Sequence, residues 1–161
     1  MSDLYLIAVG SNARVPGLGG PRRVVAAAFE ALDAHGLALL AHGPIIDSAP
    51  IGPSLRRYAN SACLVESALA PSELLTRLQA IERRFGRTRA QRRGQRWRAR
   101  ALDLDIVLWS GGVWVSPTLV IPHREMRGRD FVLGPASAMA GRWRDPVSGL
   151  SLAHLRARLA R

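Results

Sequence analysis

Seven residues near the start of the chain, "LYLIAVG" (Leu4 to Gly10), constrain the fold most strongly. Side chains of a β-strand alternate between its two faces, and here both faces are apolar. Such a strand belongs in the middle of a sheet, with cover above and below. The glycine-rich stretch "SNARVPGLGG" that follows lacks the lysine and spacing of a phosphate loop and reads as turn chemistry.

The rest of the chain supplies partners for that strand. Pro21 opens a helix that ends near Gly36, with proline in the first turn and glycine past the last. Residues 37–48 read as a second strand and Tyr58 to Ser67 as a third, with the Pro/Gly-rich loop "APIGPSLRR" between them. Pro71 opens a second helix whose apolar face carries Leu74, Leu75, Leu78, Ile81 and Phe85, while Gln79 and Glu82, three apart, share another face. Leu102 to Trp109 reads as the fourth strand, turned by "SGG" at 110–112 into a short following one. Short helices are expected around 124–140, and a last one from about Ser151. This order, βαββαβ, is the split βαβ or ferredoxin-like arrangement: an α+β fold with an antiparallel sheet and helices packed on one side. The fold hosts many functions, so the residues have to decide among them.

The 161 residues read as a single domain spanning 1–161, and 48% hydrophobic content suits a globular chain. No stretch resembles a signal peptide, and the apolar runs are too short to cross a bilayer, so a soluble cytoplasmic protein is the expectation. Cys63 is the single cysteine, which excludes an internal disulfide scaffold and a cysteine-based zinc site; it reads as a small core residue. All 23 basic residues are arginine. Without lysine there is neither a Walker A loop nor a Schiff base. The net charge is +11, yet nine arginines fall between Arg83 and Arg100, leaving +2 on the remainder. That concentration is a local anion site or a nucleic-acid patch rather than general basicity.

Next to those arginines stands "RARALDLDIVLW" (Arg98 to Trp109). Strand alternation puts Asp103 and Asp105 on one face, and Leu102, Leu104 and Ile106 on the other. Two carboxylates roughly 6–7 Å apart along a strand repel unless a cation lies between them. Magnesium takes oxygen ligands and combines one or two carboxylates with substrate phosphates, so one reading is a magnesium–polyphosphate site. The other is a solvent-facing strand with ordinary polar alternation. Arg87, Arg89, Arg96 and Arg100 lie in the loop that feeds this strand, and guanidinium groups grip phosphate bidentately without losing charge. Acids for a metal and arginines for phosphate are what phosphoryl transfer requires. An RNA-binding ferredoxin-like module remains an alternative reading of the arginines, and a nucleotide-binding but inactive protein a third. On spacing alone His123, Tyr58, Asn60 and Phe131 carry ordinary structural readings.

Taken together, "YLIAVGSN", "SAPIGP…YAN", "IERRFGR", "RW…R.LDLDIVL" and "IPH…R.F" stand in the order seen in the 6-hydroxymethyl-7,8-dihydropterin pyrophosphokinase family of folate biosynthesis, over residues 4–140. The resemblance implies a ferredoxin-like fold and transfer of pyrophosphate from ATP to the pterin hydroxymethyl group, with AMP released. It implies two Mg2+ ions held by Asp103 and Asp105, with Arg87 and Arg100 as further catalytic residues from the loop. Gln79, Glu82, Arg89, Arg96, Trp97, Ile106, His123 and Arg129 fall at ATP-binding positions. Ala49, Pro50, Ile51, Tyr58, Asn60 and Phe131 fall at pterin-binding positions, the two rings sandwiching the heterocycle. The implied partners are these two small molecules, with no nucleic acid and no membrane, and the implied state is a monomer. The chain departs from the family where Arg98 and Ala99 replace the usual Gly-Pro before the aspartates, and where Arg124 follows "PH" in place of an aromatic residue.

Overall fold

The computed structural model describes residues 1–50, 56–86 and 101–161. Its centre is β1 (Asp3–Ser11), paired antiparallel on one side with β4 (Tyr58–Ser67) along its whole length and on the other with β5 (Asp103–Trp109). Beyond β4 lie β2 (Ala38–His42) and β3 (Ile46–Ser48), which both pair with it, giving the path β2-β4-β1-β5. With α1 (Pro21–Ala34) after β1 and α2 (Pro71–Arg84) after β4, this is the expected ferredoxin-like arrangement. Both helices begin at their prolines. Gly36, at φ +77°, provides the left-handed backbone just past α1. At the start of α2, the Glu73 carboxylate accepts the Ala70 N–H at 2.8 Å, satisfying one otherwise unpaired donor of the first turn.

One expectation is corrected: helices cover both faces of the sheet. Tyr5, Ile7 and Val9 point into a first core with Val24, Val25 and Leu32 of α1 and Leu74, Leu78 and Ile81 of α2. Leu6 and Ala8 point the opposite way, into a second core formed by α3 (Asp130–Ala140) and α4 (Leu152–Leu159). The physical reason lies in "LYLIAVG" itself, because burying Leu6 as well as Ile7 needs cover on each side, worth roughly 1.5–3 kcal/mol per large side chain. As expected of a last helix from about Ser151, that residue is the N-cap of α4, its hydroxyl accepting the His154 N–H at 3.2 Å.

A second correction concerns residues 37–48, which form two strands instead of one. Pro44 has no N–H for the ladder. Gly43 donates to the Ala62 carbonyl at 2.8 Å and accepts from the Ser61 hydroxyl at 3.0 Å. A Cβ on Gly43 would come within 2.4 Å of the Pro135 carbonyl oxygen in α3, so only glycine lets the chain pass there. After β5, a two-stranded ribbon of β6 (Trp114–Val115) and β7 (Val120–Ile121) precedes a 3-10 turn at Met126–Gly128. The Ile121–Pro122 peptide is cis. Cys63 is fully buried and burial pushes its thiol up to about 12, consistent with an inert core residue. Among the described residues, no helix is long and apolar enough to cross a membrane.

Candidate active site

Among the described residues β5 is an edge strand, and its two faces differ in kind. Leu102, Leu104 and Ile106 enter the first core, each at most 3% exposed. Asp103 and Asp105 therefore project from the opposite face, half-buried and exposed respectively. At Val107 the pairing with β1 slips by one residue, since Leu6 faces Leu108 while Ile7 faces Ile106. A bulge of this kind withdraws one residue from the ladder. The Val107 carbonyl instead accepts the His123 N–H at 3.0 Å, which docks the segment after β7 against the aspartate strand.

A cleft of about 370 Å³ opens on this face. Asp103 and Asp105 line it from β5, Tyr58 and Asn60 from β4, His123 and Arg129 from the segment leading into α3, and Phe131 from the first turn of α3. The chain thus brings together, across some seventy residues of sequence, the carboxylates and the ring and amide groups expected to contact ATP and pterin. Asn60 is 7% exposed, and its amide nitrogen donates to the Ser48 hydroxyl at 2.5 Å. Its amide oxygen lies 3.0 Å from where a Cβ of Gly10 would be, so the glycine leaves room for the amide. Arg129 pairs with Glu125, and its guanidinium lies 5.6 Å from the centre of the Phe131 ring. That places a cation at the junction of the aromatic and acidic parts of the cleft.

Other expected residues sit differently. Glu82 is buried rather than sharing an open face with the exposed Gln79. Its carboxylate accepts the Leu104 N–H at 2.9 Å, which ties α2 to the stretch of β5 between the two aspartates. This outward-facing N–H of an edge strand would otherwise lack a ladder partner. Ile106 directs its side chain into the first core, away from the cleft, so only its backbone is available on the aspartate side. Neither Gln79 nor Glu82 lines the cleft, and neither do Ala49 and Pro50, which continue the chain just past Ser48. Ile51, Arg87, Arg89, Arg96, Trp97 and Arg100 lie outside the described residues. Gly10, Ser48 and Glu125 also line the cleft, and they go unnoticed in the sequence. The alternation of β1 carries no hint of the first, and a serine or glutamate in a loop gives no signal without its spatial partner.

Residues 6–141 match the family described as 7,8-dihydro-6-hydroxymethylpterin-pyrophosphokinase (HPPK). The chain belongs to this family. It is 38% identical over 142 residues to the 2-amino-4-hydroxy-6-hydroxymethyldihydropteridine pyrophosphokinase of Pseudomonas aeruginosa, covering 87% of this chain and 82% of that one. It is 35% identical over 136 residues to the enzyme of the same description from Haemophilus influenzae, covering 83% and 79%. Among solved structures, the Plasmodium falciparum HPPK-DHPS with pteroate superposes with a TM-score of 0.73 over 98% of this chain and 44% of that one. At 10% identity that likeness speaks for the fold alone. Membership makes the chain a pyrophosphokinase of folate biosynthesis, acting between ATP and 6-hydroxymethyl-7,8-dihydropterin.

Proposed function

We propose that the cleft is where this transfer takes place, with Asp103 and Asp105 on the triphosphate side and Tyr58, Asn60 and Phe131 on the pterin side. The observation that carries the reading is the convergence of paired carboxylates with two rings and a buried amide in one cavity. A flat heterocycle with donors and acceptors on its edge is recognised by ring faces together with an amide that offers both kinds of group. Asn60 has its nitrogen already engaged by Ser48, which fixes the direction of its oxygen.

In the reaction the pterin hydroxymethyl oxygen forms a bond to the β-phosphorus. The bond between that phosphorus and the α,β-bridging oxygen breaks, AMP leaves with the bridging oxygen, and the hydroxyl proton passes to solvent. Asp103 and Asp105 are the residues that would hold magnesium. Among the described residues no group of three or more His, Cys, Asp or Glu side chains forms a metal cage, and two carboxylates completed by phosphate oxygens and water suit magnesium. When bound, the ions would neutralise triphosphate charge and orient the β-phosphorus for in-line attack. Glu82, through its bond to the Leu104 N–H, anchors to α2 the stretch of β5 that carries the two aspartates. His123 and Arg129 line the same cleft and offer cationic or hydrogen-bonding side chains to the nucleotide phosphates there. On this reading the protein acts on two small molecules, as a monomer in the cytoplasm. Of the nine arginines, Arg87, Arg89, Arg96 and Arg100 are assigned to ATP; paired aspartates beside them repel phosphate unless a metal ion lies between, which suits a magnesium nucleotide better than a nucleic-acid backbone.

Calorimetric titration with the α,β-methylene analogue of ATP, which resists cleavage at the reacting bond, tests the site. Binding is expected to need Mg2+ and to weaken at least tenfold in Asp103→Asn and Asp105→Asn, given the strength of charge-assisted contacts. Equal affinity with and without Mg2+, or in either variant, would refute the placement.

A further inference from the structure

One wall of the cleft is carried on a weak element. His123, Glu125, Arg129 and Phe131 all lie on or beside the 3-10 turn Met126–Gly128, a type of helix with poor hydrogen-bond geometry and little stability of its own. Something outside the turn has to hold it. Met126 inserts into the second core and is fully buried. Arg127, next in sequence, reaches away from the cleft to Asp145, with Nε 2.7 Å from Oδ2 and Nη2 2.8 Å from Oδ1.

Asp145 has no exposed surface and is itself held from several sides. Its carboxylate also accepts the Val147 N–H at 3.0 Å and the Ser148 hydroxyl at 2.6 Å. Its backbone N–H donates to the Leu150 carbonyl at 2.9 Å, and its carbonyl accepts the Gly149 N–H at 2.8 Å. The 145–150 turn is thus closed by its own hydrogen bonds, and the bond from the Leu152 N–H to the Trp143 carbonyl at 2.9 Å pins together the chain on either side of it at the start of α4. Neither Arg127 nor Asp145 lines the cleft.

We infer that Arg127 and Asp145 are positioning residues: their two-pronged pair fixes the turn between His123 and Phe131 and so sets the cleft wall against Tyr58 and the aspartates. An ion pair with one partner buried and the other partly exposed adds little net stability compared with a well-packed apolar pair, whereas a planar fork on a carboxylate fixes direction as well as distance. The pair joins the turn to the hydrogen-bonded 145–150 turn at a point two residues from both Glu125 and Arg129. Its effect on substrates is assayed through the pyrophosphokinase reaction, on whose reading that part of the inference rests.

The test compares Arg127→Met and Arg127→Lys with Leu32→Ala, a destabilising change in α1 on the opposite face of the sheet, all at a temperature where each is folded by far-UV circular dichroism. Misplacement of the wall is expected to raise the pterin KM about tenfold in both Arg127 variants, lysine failing to rescue because it lacks the fork. Leu32→Ala, with a comparable loss in Tm, is expected to leave KM within about twofold, as changes far from a site act independently of it. In ¹H–¹⁵N spectra the amides of His123, Glu125 and Phe131 shift or broaden in the Arg127 variants and hold their positions in Leu32→Ala. Unchanged amides in the Arg127 variants, or KM values that follow Tm alike in all three proteins, would overturn the inference. A wild-type protein without turnover counts against the reaction, and the amide comparison still decides the positioning.

Discussion

Gly10 and Asn60 show how little space separates recognition from obstruction in this cleft. A methyl group on Gly10 would crowd the Asn60 amide oxygen at 3.0 Å, and the amide cannot swing away without giving up its bond to Ser48. Gly10→Ala is therefore expected to weaken pterin binding by about tenfold, the cost of one misdirected buried hydrogen bond, with ATP affinity little changed; titration with each substrate checks both. Asp103→Ala and Asp105→Ala are expected to lower turnover by a factor on the order of 1,000 or more, with Tm near wild type, because these side chains serve charge stabilisation and not packing. Product analysis and thermal melting test this together, and either variant retaining wild-type turnover would remove that aspartate from the reaction. The aspartates were legible in the sequence because charge inside an apolar strand conflicts with burial. Ser48 and Glu125 were not legible, since their meaning comes from Asn60 and Arg129, which only the folded chain brings to them.

At the scale of elements, the prolines at 21 and 71 and the alternation in β4 and β5 made the helices and strands readable nearly to the residue. The break between β2 and β3 was hidden, because Gly43 is required by a contact with Pro135, over ninety residues away. Replacing Gly43 with alanine sets a methyl group against that carbonyl and is expected to destabilise the fold by about 1–3 kcal/mol, measurable by urea denaturation. The role of Glu82 was likewise only half readable, as helix spacing does not reveal that it meets the edge of β5. Glu82→Ala leaves the Leu104 N–H without this acceptor and is expected to cost about 1–3 kcal/mol along with turnover. Glu82→Gln keeps an acceptor oxygen and is expected to retain more of both; equal losses in the two variants would show that the bond to β5 is not what matters.

Across the whole molecule, a sheet covered on both faces divides the work. The first core sets β5 from below, and the second core with the C-terminal turn sets the opposing cleft wall. "LYLIAVG" demanded that second cover, but α3 and α4 lack a strong enough pattern to show in the sequence where it would come from. The C-terminal half also carries the clearest dependence on pH. Burial pushes the Asp145 carboxyl up, but Arg127, Ser148 and the Val147 N–H outweigh it and hold the group at about 2. A carboxyl lowered on folding stabilises the protein above its unfolded pKa, and that stability is lost as pH falls from about 4 through about 2. The loss is expected to be roughly 2 kcal/mol by urea denaturation at a series of pH values and to be absent in Asp145→Asn. The most direct test of the cleft's chemistry is to incubate the protein with ATP, Mg2+ and 6-hydroxymethyl-7,8-dihydropterin and to separate the nucleotides. AMP formed in equal amount with pyrophosphorylated pterin, and only when pterin and Mg2+ are both present, is the predicted result. ADP, pterin-independent AMP or no product at all would contradict it.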